Sequence, residues 1–228
     1  MRLQDLLGVE LPIIQAPMAG VQGSTLALAV AEAGGLGSLP CAMLARDALR
    51  VELEAIAART TRPINVNFFC HAPPEPDPAR ERAWRAALAP YYAEYGIDPD
   101  AIPAGRGRVP FDAAAADVLA DFRPAIVSFH FGLPSPDLVA RVRAWGAKVL
   151  STATTVAEAR WLEARGVDAI VAQGIEAGGH RGMFMSEDLA TQVGTFALVP
   201  QIARAVGVPV IAAGGIVDAA GVAAALRL

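Results

Sequence analysis

The chain has three histidines: His71, His130 and His180, each at or just beyond the end of an apolar run. His130 interrupts the run Ala125 to Phe131 (AIVSFHF), flanked by Phe129 and Phe131. Apolar surroundings favour the neutral imidazole, which can accept a proton near neutral pH. His180 lies in a glycine-dense stretch, Gln173 to Gly182 (QGIEAGGHRG). Glycines there let backbone N–H groups approach an anion closely, as a phosphate site requires. A second pair, Gly214 and Gly215, follows a later apolar run. Turns also need glycine, so the two loops together carry more weight than either alone. Asn67 and Gln173 end their runs with neutral amides. A buried amide needs partners, which neighbouring loop backbone or the pyrimidine edge of a flavin would supply. The histidines fall on separate runs without nearby Asp or Glu ligands, so no metal is expected. Ser128 stands two residues before His130, but no G-x-S-x-G elbow accompanies it, which argues against a serine hydrolase. Cys41 and Cys70 show neither pairing nor metal spacing and read as reduced thiols.

These residues need a scaffold that gathers strand ends. Short apolar runs alternate with Ala/Leu/Arg stretches at helical spacing. The runs Leu11 to Met18, Leu36 to Leu39, Ile64 to Phe69, Ala125 to Phe131, Lys148 to Ser151, Ala169 to Gln173 and Val208 to Ala213 read as strands. Between them, helices are expected over Ser24 to Ala33, with Ser24 or Thr25 as N-cap, and over Arg46 to Arg59, Asp137 to Trp145 and Val156 to Arg165, the last opened by Thr155. Two more follow at Ala197 to Val206 and Asp218 to Leu226. The N-terminus is expected to run almost directly into the first strand. Such alternation specifies an α/β fold with a parallel sheet. A doubly wound sheet should carry G-x-G-x-x-G after its first strand, whereas Ala16 to Gly20 reads APMAG. A TIM barrel puts its chemistry at the C-terminal ends of many strands, where Gln15, Met18, Asn67, His71, Ser128, His130, Gln173 and His180 lie. The expected fold is therefore a (β/α)8 TIM barrel, truncated after the seventh β/α unit, since nothing in the sequence supplies an eighth strand. An insertion at about residues 72–111 follows the third strand. It is Pro-rich at first, then helical from Ala79 to Tyr95, then a Gly/Pro/Arg loop from Pro103 to Pro110. It reads equally as a lid or wall over a site, or as a decorative insertion or oligomer contact.

Composition narrows the partners. Of 228 residues, 54% are hydrophobic and 18% charged, which suits strands buried on both faces and excludes disorder. A net charge of −4 without a basic run excludes a nucleic-acid surface or a polybasic membrane patch. No signal pattern or spanning segment is read, so a cytoplasmic protein is expected.

Several stretches resemble the class I nitronate monooxygenases, formerly called 2-nitropropane dioxygenases. They are LPIIQAPMAG (Leu11 to Gly20), AGGLGSL (Ala33 to Leu39), NVNFFCH (Asn65 to His71), VSFHFGLP (Val127 to Pro134), AQGIEAGGHRG (Ala172 to Gly182) and VIAAGG (Val210 to Gly215). AGGLG and AGGH are shared with related flavin barrels; NFFCH and SFHFGLP are more specific. The resemblance implies an FMN-containing barrel that oxidises alkyl nitronates, such as propionate 3-nitronate, with O2 to carbonyl compounds and nitrite. It implies that Met18, Asn67, Gln173, Gly178 and Gly215 contact FMN. It also makes His130 the catalytic base or nitronate partner and His180 a second active-site histidine. Two alternatives stay open: an FMN-dependent enoyl-thioester reductase on the same barrel, and a truncated, non-catalytic fragment.

Overall fold

A computed structural model describes residues 2–102 and 108–228 of the protein. Residues 103–107, within the expected Gly/Pro/Arg loop, lie outside the described residues. The chain divides into two compact units, residues 1–71 with 109–228, and residues 72–108.

The larger unit holds six strands among the described residues: β1 (Gly37–Pro40), β2 (Ile64–Phe69), β3 (Ile126–His130), β4 (Lys148–Ala153), β5 (Ala169–Gln173) and β6 (Val210–Ala213). All pair in parallel in the order of the chain. The sheet curls through 192° into a half-barrel, as expected of a truncated TIM barrel. Its helices are α1 (Leu3–Leu7), α2 (Ser24–Glu32), α3 (Arg46–Ala57), and, after the second unit's α4 (Pro78–Tyr95), α5 (Ala113–Phe122), α6 (Pro136–Ala144), α7 (Val156–Glu163), α8 (Thr195–Ala205) and α9 (Ala219–Ala225).

Alternation along the strands decides what faces what. Ile64, Val66 and Phe68 of β2, Val127 and Phe129 of β3, Val149 and Ala153 of β4, and Ile170 and Ala172 of β5 join the main core with the helices. The helices bring matching stripes, as Leu49, Leu53 and Ile56 of α3 do at spacings of four and three. The other side of the sheet starts apolar. Leu36, Ile126, Leu150 and Ala169 form a second cluster with Leu7, and Leu3, Leu6 and Ile14 pack on it.

Two expectations at the N-terminus fail. The chain opens with α1, not with a strand. The segment Leu11 to Met18 is no strand either, having a single bridge, Ile14 to Leu36. Prolines at positions 12 and 17 deprive it of ladder donors. The Gln15 side chain continues the pairing in their place: its Nε2 donates to the Ser38 carbonyl, and its Oε1 accepts from the Ser38 N–H, both at 3.2 Å. The N-cap of α2 is Gly23, not Ser24 or Thr25, and the Glu52 carboxylate accepts from the Ser24 N–H at 2.7 Å. The helix α5 was not read from the sequence at all. Phe111, placed in the insertion by the sequence reading, is a core residue whose ring meets Phe68 and Phe129 at 4.8 and 5.3 Å.

In the smaller unit, Asp77 opens α4 by accepting from the Ala79 and Arg80 N–H groups at 3.0 Å. The helix ends at Gly96 in the left-handed region.

Candidate functional site

The inner face of the half-barrel changes character toward the C-terminal ends of its strands. Asn67, Ser128, Thr152 and Gln173 are buried there, while Ser38 and Asn65, also buried and opposite each other, lie lower, Asn65 in register with Ile126 of the apolar floor. Asn67 lies opposite Ser128, and its Nδ2 donates to the Ser128 hydroxyl at 2.8 Å. One layer below, Asn65 Nδ2 donates to the Ser38 hydroxyl at 3.0 Å, while Asn65 Oδ1 is buried with no partner among the described residues.

His130 ends β3 at the mouth. Its Nδ1 lies 3.0 Å from the Thr152 hydroxyl of β4 and its Nε2 lies 3.2 Å from the His180 carbonyl oxygen. Burial pushes its pKa down from 6.5 to about 4, against the opposing pull of the His180 carbonyl. The imidazole is therefore neutral at physiological pH. Phe69 and Phe131 border it, with ring centroids 5.6 and 4.5 Å away. Strand alternation predicts that Phe129 and Phe131 both pack outward against helices. Phe129 does so, fully buried in the main core. Phe131 does not, because its φ of +68° turns the chain into the left-handed region just after β3 ends. Its ring instead meets those of Phe69, His71 and His180 at 5.1, 6.1 and 6.0 Å.

The first glycine loop is tied down from inside. Gln173 Nε2 donates to the His180 carbonyl at 2.9 Å, and Gln173 Oε1 accepts from the Gly182 N–H at 2.7 Å. Loop backbone is therefore what this amide binds. Gly182 presses on the imidazole: a Cβ there would stand 2.6 Å from His130 Cε1 and 2.8 Å from Thr152 Cγ2. The Arg181 guanidinium donates to the Gly174 and Ile175 carbonyls at 2.6 and 2.8 Å. Beyond Gly182, the buried Glu158 of α7 accepts four bonds, from Thr154 N–H at 2.7 Å, Thr154 hydroxyl at 2.8 Å, Phe184 N–H at 2.7 Å and Met185 N–H at 3.2 Å.

Gly178 differs from the other glycines among the described residues. Its φ is not positive, and a Cβ there would meet no protein atom within 4 Å. Neither backbone conformation nor packing asks for glycine at this position. Gly215, in contrast, has φ +71° and lies close to the Glu176 side chain. Glu176 occupies the start of α8, accepting from the Thr195 N–H at 2.7 Å, a bond that holds its carboxyl below the usual range. Met18 is half exposed, and the His180 side chain is exposed.

The fold thus brings together His130, His180, Asn67 and Gln173. Sequence reading missed Thr152, Glu158 and the inward turn of Phe131. Thr152 was legible by the rule that found Gln173, a polar residue near the end of an apolar strand, but the sequence reading stops that strand at Ser151, two residues before its end at Ala153. Glu158 carries a capping-box signature with Thr155, whose hydroxyl accepts from the Glu158 N–H at 3.2 Å. That signature predicts a local cap and hides the reach to residues 184 and 185.

Comparison with known proteins adds an independent line. A family model described as nitronate monooxygenase matches residues 1–228. The chain is 49% identical over 230 residues to a nitronate monooxygenase of Paraburkholderia phytofirmans, covering 99% of this chain and 62% of that protein. It is 48% identical over 229 residues to a nitronate monooxygenase of Pseudomonas aeruginosa, covering 100% of this chain and 65% of the other. The chain thus spans less than two thirds of the length of these relatives. Among solved structures, nitroalkane oxidase from Streptomyces ansochromogenes superposes with a TM-score of 0.82 at 43% identity, over 97% of this chain and 64% of that one. FabK from Thermotoga maritima superposes with a TM-score of 0.71 at 30% identity, over 99% and 57%.

Proposed function

The chain belongs to the nitronate monooxygenase family, and on that premise we propose that it serves FMN-dependent oxidative denitrification of alkyl nitronates with O2, giving a carbonyl compound and nitrite. The observation that carries the reading is the neutral, half-buried imidazole of His130 at the C-terminal mouth of a parallel half-barrel, bordered by aromatic rings. Barrel enzymes place their chemistry at that end of the strands.

The residues present fit FMN. Gly178 is a glycine that no protein contact requires, as expected where a ligand comes close to backbone. Asn65 Oδ1 is a buried acceptor in want of a donor beneath the same mouth. Gly178 and Gly215 would lie along the ribityl and phosphate. Asn67 and Gln173 would face the ring system from the inner wall, with Met18 at its rim. When bound, FMN supplies the electron acceptor for the substrate.

The remaining roles belong to the chain. His130 holds the anionic substrate at the mouth. Phe69 and Phe131 exclude water around it, which strengthens any hydrogen bond to the anion. His180 shapes the outer rim, its carbonyl fixed by Gln173. Gln173 thereby acts on the site chiefly by holding the loop that touches His130.

The test is direct. Purified protein should carry FMN, consume O2 and release nitrite from propionate 3-nitronate. His130→Asn should keep fold and flavin and lose on the order of 10²-fold in turnover, the usual cost of removing one donor to a reacting anion. Wild-type turnover in this variant would move the role to His180. Flavin bleached by NADH without a nitro compound would support the enoyl-thioester reductase instead.

A further inference from the structure

We infer that the His180 carbonyl and the Thr152 hydroxyl together hold His130 as the Nε2–H tautomer, so that it meets a nitronate as a hydrogen-bond donor and Thr152 is a positioning residue for the reaction. The inference rests on the function proposed above.

A carbonyl oxygen can only accept. The approach of Nε2 to the His180 oxygen, 3.2 Å, is therefore a bond only if Nε2 carries the proton. A neutral imidazole has one N–H, so the lone pair is on Nδ1. There the Thr152 hydroxyl, 3.0 Å away, donates to it. The reverse tautomer would set two acceptors against each other at Nε2. Neither partner yields easily. The His180 carbonyl also accepts from Gln173 Nε2 at 2.9 Å, and Gly182, whose Cβ would clash with the ring, leaves the imidazole no slack on that side. The charged and titratable groups acting on His130 are His180 and Arg181 from the loop and Glu158 from α7.

The consequence separates two roles that the sequence leaves open. As a base toward a neutral nitroalkane, His130 would need a free lone pair facing the substrate. Its lone pair points to Thr152 instead. As a donor, Nε2–H can be shared between the His180 carbonyl and a nitronate oxygen.

Nitrogen-15 spectra of the labelled full chain at pH 7 read the tautomer without any turnover, with His130→Asn identifying the signals. The expected spectrum has a protonated, pyrrole-like Nε2 and a pyridine-like Nδ1 shifted by a hydrogen bond. Thr152→Val should move the Nδ1 signal alone, and Thr152→Ser should restore it. A protonated Nδ1, tautomers in exchange, or an Nδ1 signal indifferent to Thr152→Val would each overturn the inference. The serine variant and the wild-type spectrum decide the matter even if the valine variant does not fold. In turnover, Thr152→Val should lower kcat/KM for the nitronate by about tenfold, the worth of one hydrogen bond, and wild type should prefer nitronate to the parent nitroalkane. Equal use of both substrates also counts against the donor role. Absence of nitrite from either would sink the proposed activity, while the spectra would still judge the tautomer.

Discussion

The two ends of the same strands are built from different chemistry. At the N-terminal end, the inner face shows Leu36, Ile126, Leu150 and Ala169, closed below by Leu7 of α1. Toward the C-terminal end the same face shows Asn67, Ser128, His130, Thr152 and Gln173. On β4, Leu150 and Thr152 are two residues apart and point the same way, yet one belongs to the floor and the other to the mouth. The floor is non-directional and gains stability from removing apolar surface from water. The mouth is directional, and each polar atom there must find a partner or cost free energy. Damage to the floor should therefore appear as lost stability, and damage to the mouth as lost activity in a protein that still folds.

The floor gives the largest expected effect. Leu150 is 1% exposed, so Leu150→Ala leaves a cavity and should cost about 2–5 kcal/mol. Denaturant unfolding measures this, and activity per folded molecule should be close to wild type. Full stability with lost turnover would erase the distinction between the two ends. The mouth gives the next effect. Gly182→Ala drives a methyl group into the space of His130 Cε1 and must shift the imidazole or the loop. A displacement of this kind costs on the order of 10²-fold in rate. Circular dichroism and nitrite release, measured together, should show a folded, slow protein.

Gly178→Ala should have a smaller effect, confined to the flavin. The protein has room for the methyl group and no unusual φ to protect, so the melting temperature without flavin should not move. Flavin content after purification should fall. Unchanged flavin content would mean that the space beside Gly178 faces only solvent. Gly215 is a poorer probe of the same question, since φ +71° would strain any replacement whether or not flavin binds.

The sequence was most legible where one rule governed one residue. Runs rich in Val, Ile and Phe located β2 and β5 to the residue, because such side chains suit a pleated, buried strand. Thr155 and Asp218 announced the starts of α7 and α9, and both side chains accept the bonds a cap should. Legibility failed where two rules competed. Leu11 to Met18 has strand composition, but its prolines and the Gln15 side chain win locally. Phe131 follows the alternation of β3 in sequence but not in space, since positive φ is set by the turn into Gly132 and leaves no mark on residue type. Among the candidate site residues, strand-end position placed His130 and Gln173 at the ends of β3 and β5, whereas Asn67, also read as a strand end, lies two residues inside the end of β2. That Gln173 binds the His180 and Gly182 backbone depends on how a loop folds back seven to nine residues later, which no spacing reveals.

The smallest expected effect joins the two ends, because it asks whether the mouth adds to stability at all. The His130 pKa lies near 4 in the folded protein and 6.5 in the unfolded chain. The unfolded chain therefore binds the extra proton first as pH falls. Stability from this group is fully present above about pH 6.5 and is lost progressively as pH drops toward 4. Between pH 7.5 and 5.5 the loss should be about 1 kcal/mol. Carboxylates also titrate near the lower end, so the informative quantity is the difference between wild type and His130→Asn, which cannot take up that proton. Unfolding midpoints measured across this range should fall more steeply with acid in wild type than in the variant. Parallel curves would mean that the imidazole is as easily protonated in the folded chain as in the unfolded one. The mouth would then be open to water, and its hydrogen bonds to Thr152 and His180 would not hold the ring.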